Sequence, residues 1–88
     1  MFYKTKNMSV EATQYNGDNL KELREIFPKL EFKLCCSMTT LNGIPYNDVI
    51  VSDGEVWDDL LAGDWVAEMG KDWEVIPMHE FKKYWEKV

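Results

Sequence analysis

The sequence predicts an α+β fold, a curved antiparallel sheet of about five to six strands covered by two helices, in a single domain spanning residues 1–88. Residues 19–27 and 78–87 carry apolar side chains at helical spacing. Much of the remaining chain alternates apolar and polar residues, as half-buried strands do. The connections between these strands are too short for parallel crossovers, so the sheet is expected to be antiparallel.

The N-terminal part predicts a strand followed by a helix. Residues 2–15 include the strand-like alternation. Asn19 can cap the helix, and Glu22 lies three residues on, where it completes a capping box. Pro28 is expected to end the helix near Phe27.

The next strand is predicted from alternation in residues 31–36. In this pattern Phe32, Leu34 and Cys36 share one face, and Cys35 lies on the other. Because neighbouring residues of a strand point to opposite faces, a disulfide between the two cysteines would be strained, and we expect reduced thiols. A strand among apolar residues lacks the basic or helix-N-terminal setting of a reactive thiolate, so these thiols are expected to pack.

Two turn signals divide the middle of the chain. Asn42-Gly43 and Asp53-Gly54 are both typical of tight hairpins. Residues 58–63 then read as a connector, with at most one helical turn.

Two further strands and a helix complete the predicted order. Residues 64–69 and 73–76 read as strands joined by a turn, and Pro77 suits the entry to the last helix. An apolar stripe defines the inner side of that helix: Met78, Phe81, Trp85 and Val88.

The net charge of −6 is concentrated in one segment. Residues 53–74 carry −7, because they hold eight acids and a single base, Lys71. Such a field repels phosphates and membrane surfaces and attracts basic partners, so we expect neither direct nucleic-acid binding nor membrane binding. The candidate partner-binding residues are Asp53, Glu55, Asp58, Asp59, Asp64 and Glu68. Alternatively, this charge serves solubility, since Asp is locally favoured in turns.

The aromatic residues offer a second kind of site. Trp57, Trp65 and Trp73 fall on neighbouring predicted strands. If two of them share an exposed face with Tyr46, they could stack on a nucleotide-like ligand between subunits. The alternative is that they fill the small interior.

No catalytic constellation is evident in the sequence. His79 is the single histidine, and no metal-ligand spacing accompanies it. The glycines stand singly in turns, without a phosphate-binding loop. We therefore expect no enzymatic activity, metal or cofactor.

Two segments resemble a family of short proteins encoded by tailed bacteriophages and prophages. The first is residues 3–19, a Tyr-Lys strand that continues through Val-Glu-Ala to a Gly-Asp helix start. The second comprises Ala62-Gly63-Asp64-Trp65-Val66, then Gly70, then Phe81-Lys82-Lys83-Tyr84. Asn7 and Ala62 stand where the family usually has proline, and Asp72 stands where it often has glycine.

The resemblance implies a phage accessory protein in the host bacterial cytoplasm, and it implies no activity. Together with the charge, it favours a non-enzymatic module that inhibits or modulates a host protein, such as part of a defence system. The partner would be basic or itself bind nucleic acid. The alternative is a protein that sequesters a nucleotide-like signal, for which a homo-oligomer is expected.

Overall fold

The structure, a computed structural model, describes residues 2–4, 9–84 and 86–87, with side chains described for residues 11–81. The strands in these residues are β1 (Phe2–Lys4), β2 (Ser9–Gln14), β3 (Glu31–Leu41), β4 (Ile44–Ser52), β5 (Trp57–Leu60), β6 (Trp65–Met69), β7 (Asp72–Ile76) and β8 (Glu86–Lys87). The helices are α1 (Leu20–Ile26) and α2 (Met78–Tyr84).

The strands form two antiparallel sheets instead of one. The larger sheet has the order β7-β6-β2-β1-β8, and the smaller sheet has the order β3-β4-β5. The prediction of a single sheet of five to six strands covered by two helices is therefore wrong. The fold is mostly β, and each helix has only seven residues.

A tight turn at residues 61–64 explains why the chain changes sheets after β5. The Asp64 carboxylate accepts a hydrogen bond from the Leu61 backbone N–H, and the Asp64 N–H donates to the Leu61 carbonyl. Gly63 adopts a φ of +99°, which other residues rarely adopt, and its N–H donates to the Tyr15 carbonyl over 2.6 Å. These bonds direct β6 onto β2 and away from β5.

The two ends of the chain meet in the larger sheet. The predicted strand over residues 2–15 is two antiparallel strands, β1 and β2, in which Phe2 pairs with Glu11. The predicted helix over residues 78–87 ends at Tyr84, and β8 then pairs with β1. Trp85 and Val88, which we assigned to the apolar stripe of that helix, lie outside the described residues.

Helix α1 lies within the predicted range 19–27, but its capping differs from the prediction. Asn19 is the N-cap, and its side chain makes no bond to a helix N–H. Its Oδ1 instead accepts from the Asn16 N–H, while its Nδ2 donates to Glu22 Oε1 over 3.0 Å. The Asn19 side chain thus organises the preceding loop.

A bulge in β3 overturns the predicted alternation of residues 31–36. The register shifts between Leu34 and Met38, so three residues of β3 lie opposite Asp48 alone. Leu34, the last residue before the shift, is exposed although Phe32 is buried. Cys36 is also exposed and Cys35 is half-buried, so neither thiol fills the core.

The main core lies between the two sheets and is closed by α1. It contains Tyr15, Leu23, Phe27, Leu30, Phe32, Val49, Val51, Leu60, Ala62 and Val66. A second cluster on the other face of the larger sheet packs α2 against it through Ala12, Ala67, Ile76 and Phe81. The three layers are α2, the larger sheet, and the smaller sheet with α1.

Asp48 closes the bulge as a buried carboxylate. It accepts hydrogen bonds from the Ser37 hydroxyl over 2.7 Å and from the Thr39 hydroxyl over 2.6 Å.

Burial, with a smaller contribution from the nearby Asp48 charge, raises the pKa of Tyr15. The Tyr15 hydroxyl donates to the Asn47 carbonyl over 2.8 Å, which joins the end of β2 to β4.

Thr13 tests how much an unsatisfied polar group costs this core. Its side chain is 9% exposed, and within the described part of the chain its hydroxyl has no hydrogen-bond partner. We expect Thr13→Val to raise the free energy of unfolding by about 1 kcal/mol, because valine has the same shape without the buried hydroxyl.

The matched control for Thr13→Val is Thr39→Val, which removes a hydroxyl that is bonded to Asp48. Thr39→Val is expected to lower the free energy of unfolding by about 1–2 kcal/mol. Urea denaturation measures the free energy of unfolding of both variants, which is expected to rise for Thr13→Val and to fall for Thr39→Val. A loss of stability in Thr13→Val would show that the hydroxyl is satisfied.

Candidate protein-binding surface

Acidic residues from both sheets surround one groove of about 390 Å³. The β4–β5 turn contributes Asp53 and Glu55, and β6 and β7 contribute Glu68 and Asp72. The other lining residues are Lys29, Leu30, Gly70, Lys71 and Trp73. We call the four groove acids together with Asp58 and Asp59 of β5 the acidic flank. Asp72 was missed in the sequence-predicted set, because its closeness to the β4–β5 turn depends on how the sheets pack.

Asp53 fixes the geometry of the groove. Its Oδ1 accepts from the backbone N–H groups of Glu55 and Val56, over 2.8 and 2.9 Å. Its Oδ2 accepts from the Trp73 indole N–H over 2.9 Å, which ties the β4–β5 turn to β7. The bond from the Val56 N–H contributes most to lowering the pKa of Asp53 to about 2, followed by the Trp73 bond.

The Trp73–Asp53 bond gives a pH-dependent signal. We expect the Trp73 indole N–H resonance to keep its neutral-pH position at pH 3, because the pKa of Asp53 lies near 2 rather than at its usual 3.8. Because the pKa of Asp53 is lowered in the folded state, its ionised carboxylate stabilises the fold fully above pH 3.8, and this stabilisation is lost as pH falls through about 2. Two-dimensional ¹⁵N–¹H NMR follows it, with Asp53→Asn as the non-titrating control. A resonance that has moved halfway by pH 3.8 would contradict the bonded arrangement.

Asp58 and Asp59 lie on β5, an edge strand of the smaller sheet. Both are exposed, and Asp58 Oδ1 accepts from the Asp59 backbone N–H over 2.8 Å. The carboxylate therefore occupies a backbone donor that a partner strand would otherwise use. This edge is suited to side-chain contacts more than to strand addition.

Asp64 differs from the other predicted partner-binding residues. It is half-buried, and its two oxygens accept from the Leu61 and Met78 N–H groups, each over 3.1 Å. Burial raises the pKa of Asp64, and these two bonds only partly offset that effect. Its carboxylate joins the turn after β5 to the start of α2, so we assign it to the fold.

The four aromatic candidates lie in four different places. Trp65 stacks on Phe81 with ring centroids 3.9 Å apart, and the Tyr46 ring packs against Gly17. Trp73 lines the acidic groove, whereas Trp57 is exposed on the outer face of the smaller sheet. The fold therefore does not assemble them into one stacking platform.

Trp57 belongs to a second, shallower groove of about 340 Å³. Its other lining residues are Glu31, Lys33, Ile50 and Ser52. The Trp57 side chain is 66% exposed, the most exposed large apolar residue among the described ones. Sequence periodicity could not place it outside, because Trp57 was predicted to end a strand and residues 58–63 to form a connector, whereas residues 57–60 together form β5.

His79 is exposed at the start of α2, with its Nε2 3.8 Å from Glu80 Oε1. Among the described residues, no group of three or more His, Cys, Asp or Glu side chains is arranged to hold a metal ion. Neither helix in that part of the chain has the length and apolar character needed to cross a bilayer.

Comparison with protein-family models, curated proteins and solved structures gave no match. The likeness to the phage family therefore stays a prediction from residues 3–19 and 62–84.

Proposed function

We propose that this chain is a phage-encoded, non-enzymatic binding module that modulates a basic host protein through the acidic flank. The observation that supports this most is the gathering of acids from two sheets around one groove, with two further exposed acids on β5, the strand that follows the β4–β5 turn. Four acids and two lysines line the groove, so its field is negative and favours a positively charged partner.

The rigidity of the flank also supports the proposal. Asp53 is held by two backbone N–H groups and an indole N–H, so the turn keeps its position before a partner arrives. A preorganised surface loses less entropy on binding than a mobile one. The half-buried Glu68 and the exposed Glu55 can then face a partner from fixed backbone positions.

The alternative function, sequestration of a nucleotide-like signal, has less support. The groove with the most charged residues is acidic, which disfavours phosphates. Arg24, which could have bound a phosphate, donates instead to the Phe32 carbonyl over 2.9 Å. The side chains of Lys4 and Lys6 lie outside those that the structure describes.

Affinity capture from a bacterial lysate tests the proposal. We expect the protein to retain a basic host protein at physiological salt and to release it at about 0.5 M salt, where screening shortens the range of charge attraction to about 4 Å. The captured protein, purified separately, should form a one-to-one complex in calorimetry. Retention that does not change with salt, or a captured nucleotide in place of a protein, would contradict the proposal.

A further inference from the structure

The outer face of the smaller sheet carries the exposed Trp57, and the strand register shows which residues surround it. Glu31 and Trp57 both lie opposite Ser52, on the two strands that flank β4. Lys33 and Asp59 both lie opposite Ile50 in the next row of the same face. Neighbouring strands are about 4.8 Å apart, so the backbones of Glu31 and Trp57 stand about 10 Å apart. Their side chains form two walls of a groove whose floor is Ser52 and Ile50.

The charges near Trp57 are mainly negative. Asp59 lies two residues along the same strand and on the same face, and Glu31 faces Trp57 across Ser52. Lys33 is two strands away and one row further on, about 12 Å from Trp57 between backbones. A cation above the indole would therefore have carboxylates on two sides, with the lysine at the far corner.

We propose that this groove binds an arginine side chain of the basic partner, with the guanidinium stacked on Trp57 and paired with Glu31. A guanidinium is planar, is attracted by the face of an indole and matches a carboxylate with two parallel hydrogen bonds. Its apolar stem can lie along Ile50. A groove of about 340 Å³ has room for this one side chain. The inference rests on the proposed function and names what the partner inserts.

Capped Gly-Arg-Gly and Gly-citrulline-Gly tripeptides provide the test, because citrulline has nearly the same shape without the charge. We expect the arginine peptide, titrated to about 10 mM, to shift the Trp57 indole resonance saturably. The citrulline peptide should bind at least about tenfold more weakly, and a lysine peptide severalfold more weakly. In Trp57→Leu, the backbone N–H resonances of Ile50 and Ser52, which line the same groove, should no longer shift with the arginine peptide, while the protein stays folded because the Trp57 side chain is exposed. Glu31→Gln should weaken binding severalfold.

Three results would overturn the inference: no shift of Trp57, equal binding of the arginine and citrulline peptides, or tighter binding of adenosine monophosphate than of the arginine peptide. The captured host protein separates this inference from the proposed function. If Trp57→Leu binds that protein as wild type does, the arginine site is wrong while the acidic flank stands. If reversing the charges of the flank leaves capture unchanged, the proposed function is wrong whatever the peptides do.

Discussion

Gly17→Ala is expected to lower the free energy of unfolding by about 3 kcal/mol, with contributions from backbone strain and from steric overlap. Gly17 has a φ of +100°, which is unfavourable for any residue with a Cβ. An added Cβ would also overlap the Tyr46 ring at Cγ and Cδ1. The ring has little freedom to retreat, because the Tyr15 hydroxyl holds the neighbouring Asn47 carbonyl at 2.8 Å.

Gly54→Ala is the matched control for Gly17→Ala. Gly54 has a φ of +99°, and nothing lies within 4 Å of an added Cβ. Gly54→Ala should therefore lower the free energy of unfolding through backbone strain alone, by about 1–2 kcal/mol. In a Tyr46→Ala background, the cost of Gly17→Ala should fall to the Gly54→Ala value. Equal costs of the two alanines in the wild-type background, measured by urea denaturation, would show that Tyr46 does not pack there.

Asp64→Ala is expected to cost about 2–3 kcal/mol, because two backbone N–H groups lose a charged acceptor in a half-buried site. Asp64→Asn should cost less, since the amide keeps one acceptor oxygen. The pKa of the Asp64 carboxyl group is raised by folding, so the folded state binds the proton of this group more tightly than the unfolded state does. The stability that comes from protonating Asp64 is therefore full below pH 3.8 and falls as pH rises through the folded pKa.

Asp59→Ala is the control for Asp64→Ala, because it removes an exposed carboxylate from a neighbouring part of the chain. It should change the free energy of unfolding by less than about 0.5 kcal/mol. If Asp64→Ala were equally neutral, Asp64 would be available to a partner, as its place in the acidic segment first indicated.

Two local signals in the sequence predicted local structure correctly. Asn42-Gly43 does form a two-residue hairpin, in which Asn42 has a φ of 53° and Gly43 a φ of 83°, and Leu41 pairs with Ile44. Helix α1 ends before Pro28, which has no N–H to continue it. In each case the determining contacts lie within a few residues.

The division into two sheets could not be predicted in the same way. It depends on contacts between distant residues, such as the bond from Gln14 Nε2 to the Gly63 carbonyl over 2.9 Å, which joins β2 to the turn before β6. The bulge before Met38 likewise depends on Asp48, ten residues further on. The acidic segment identified most of the candidate surface, but the packing of the two sheets decides which acids share a groove.

The most direct test of the acidic flank reverses two of its charges and compares an equal change elsewhere. The flank variant is Glu55→Lys with Asp59→Lys, which leaves the bonded carboxylates of Asp53 and Asp64 in place. The control is Asp18→Lys with Glu80→Lys. Asp18 and Glu80 are exposed and line neither groove. Both variants replace two acids with two lysines, so they have the same net charge.

Calorimetry with the captured host protein at physiological salt compares the two variants. We expect the flank variant to lose affinity at least about thirtyfold, since reversed charges then face a basic partner, and the control to lose less than about threefold. Equal losses in the two variants, or full affinity in the flank variant, would show that the partner does not bind at this surface.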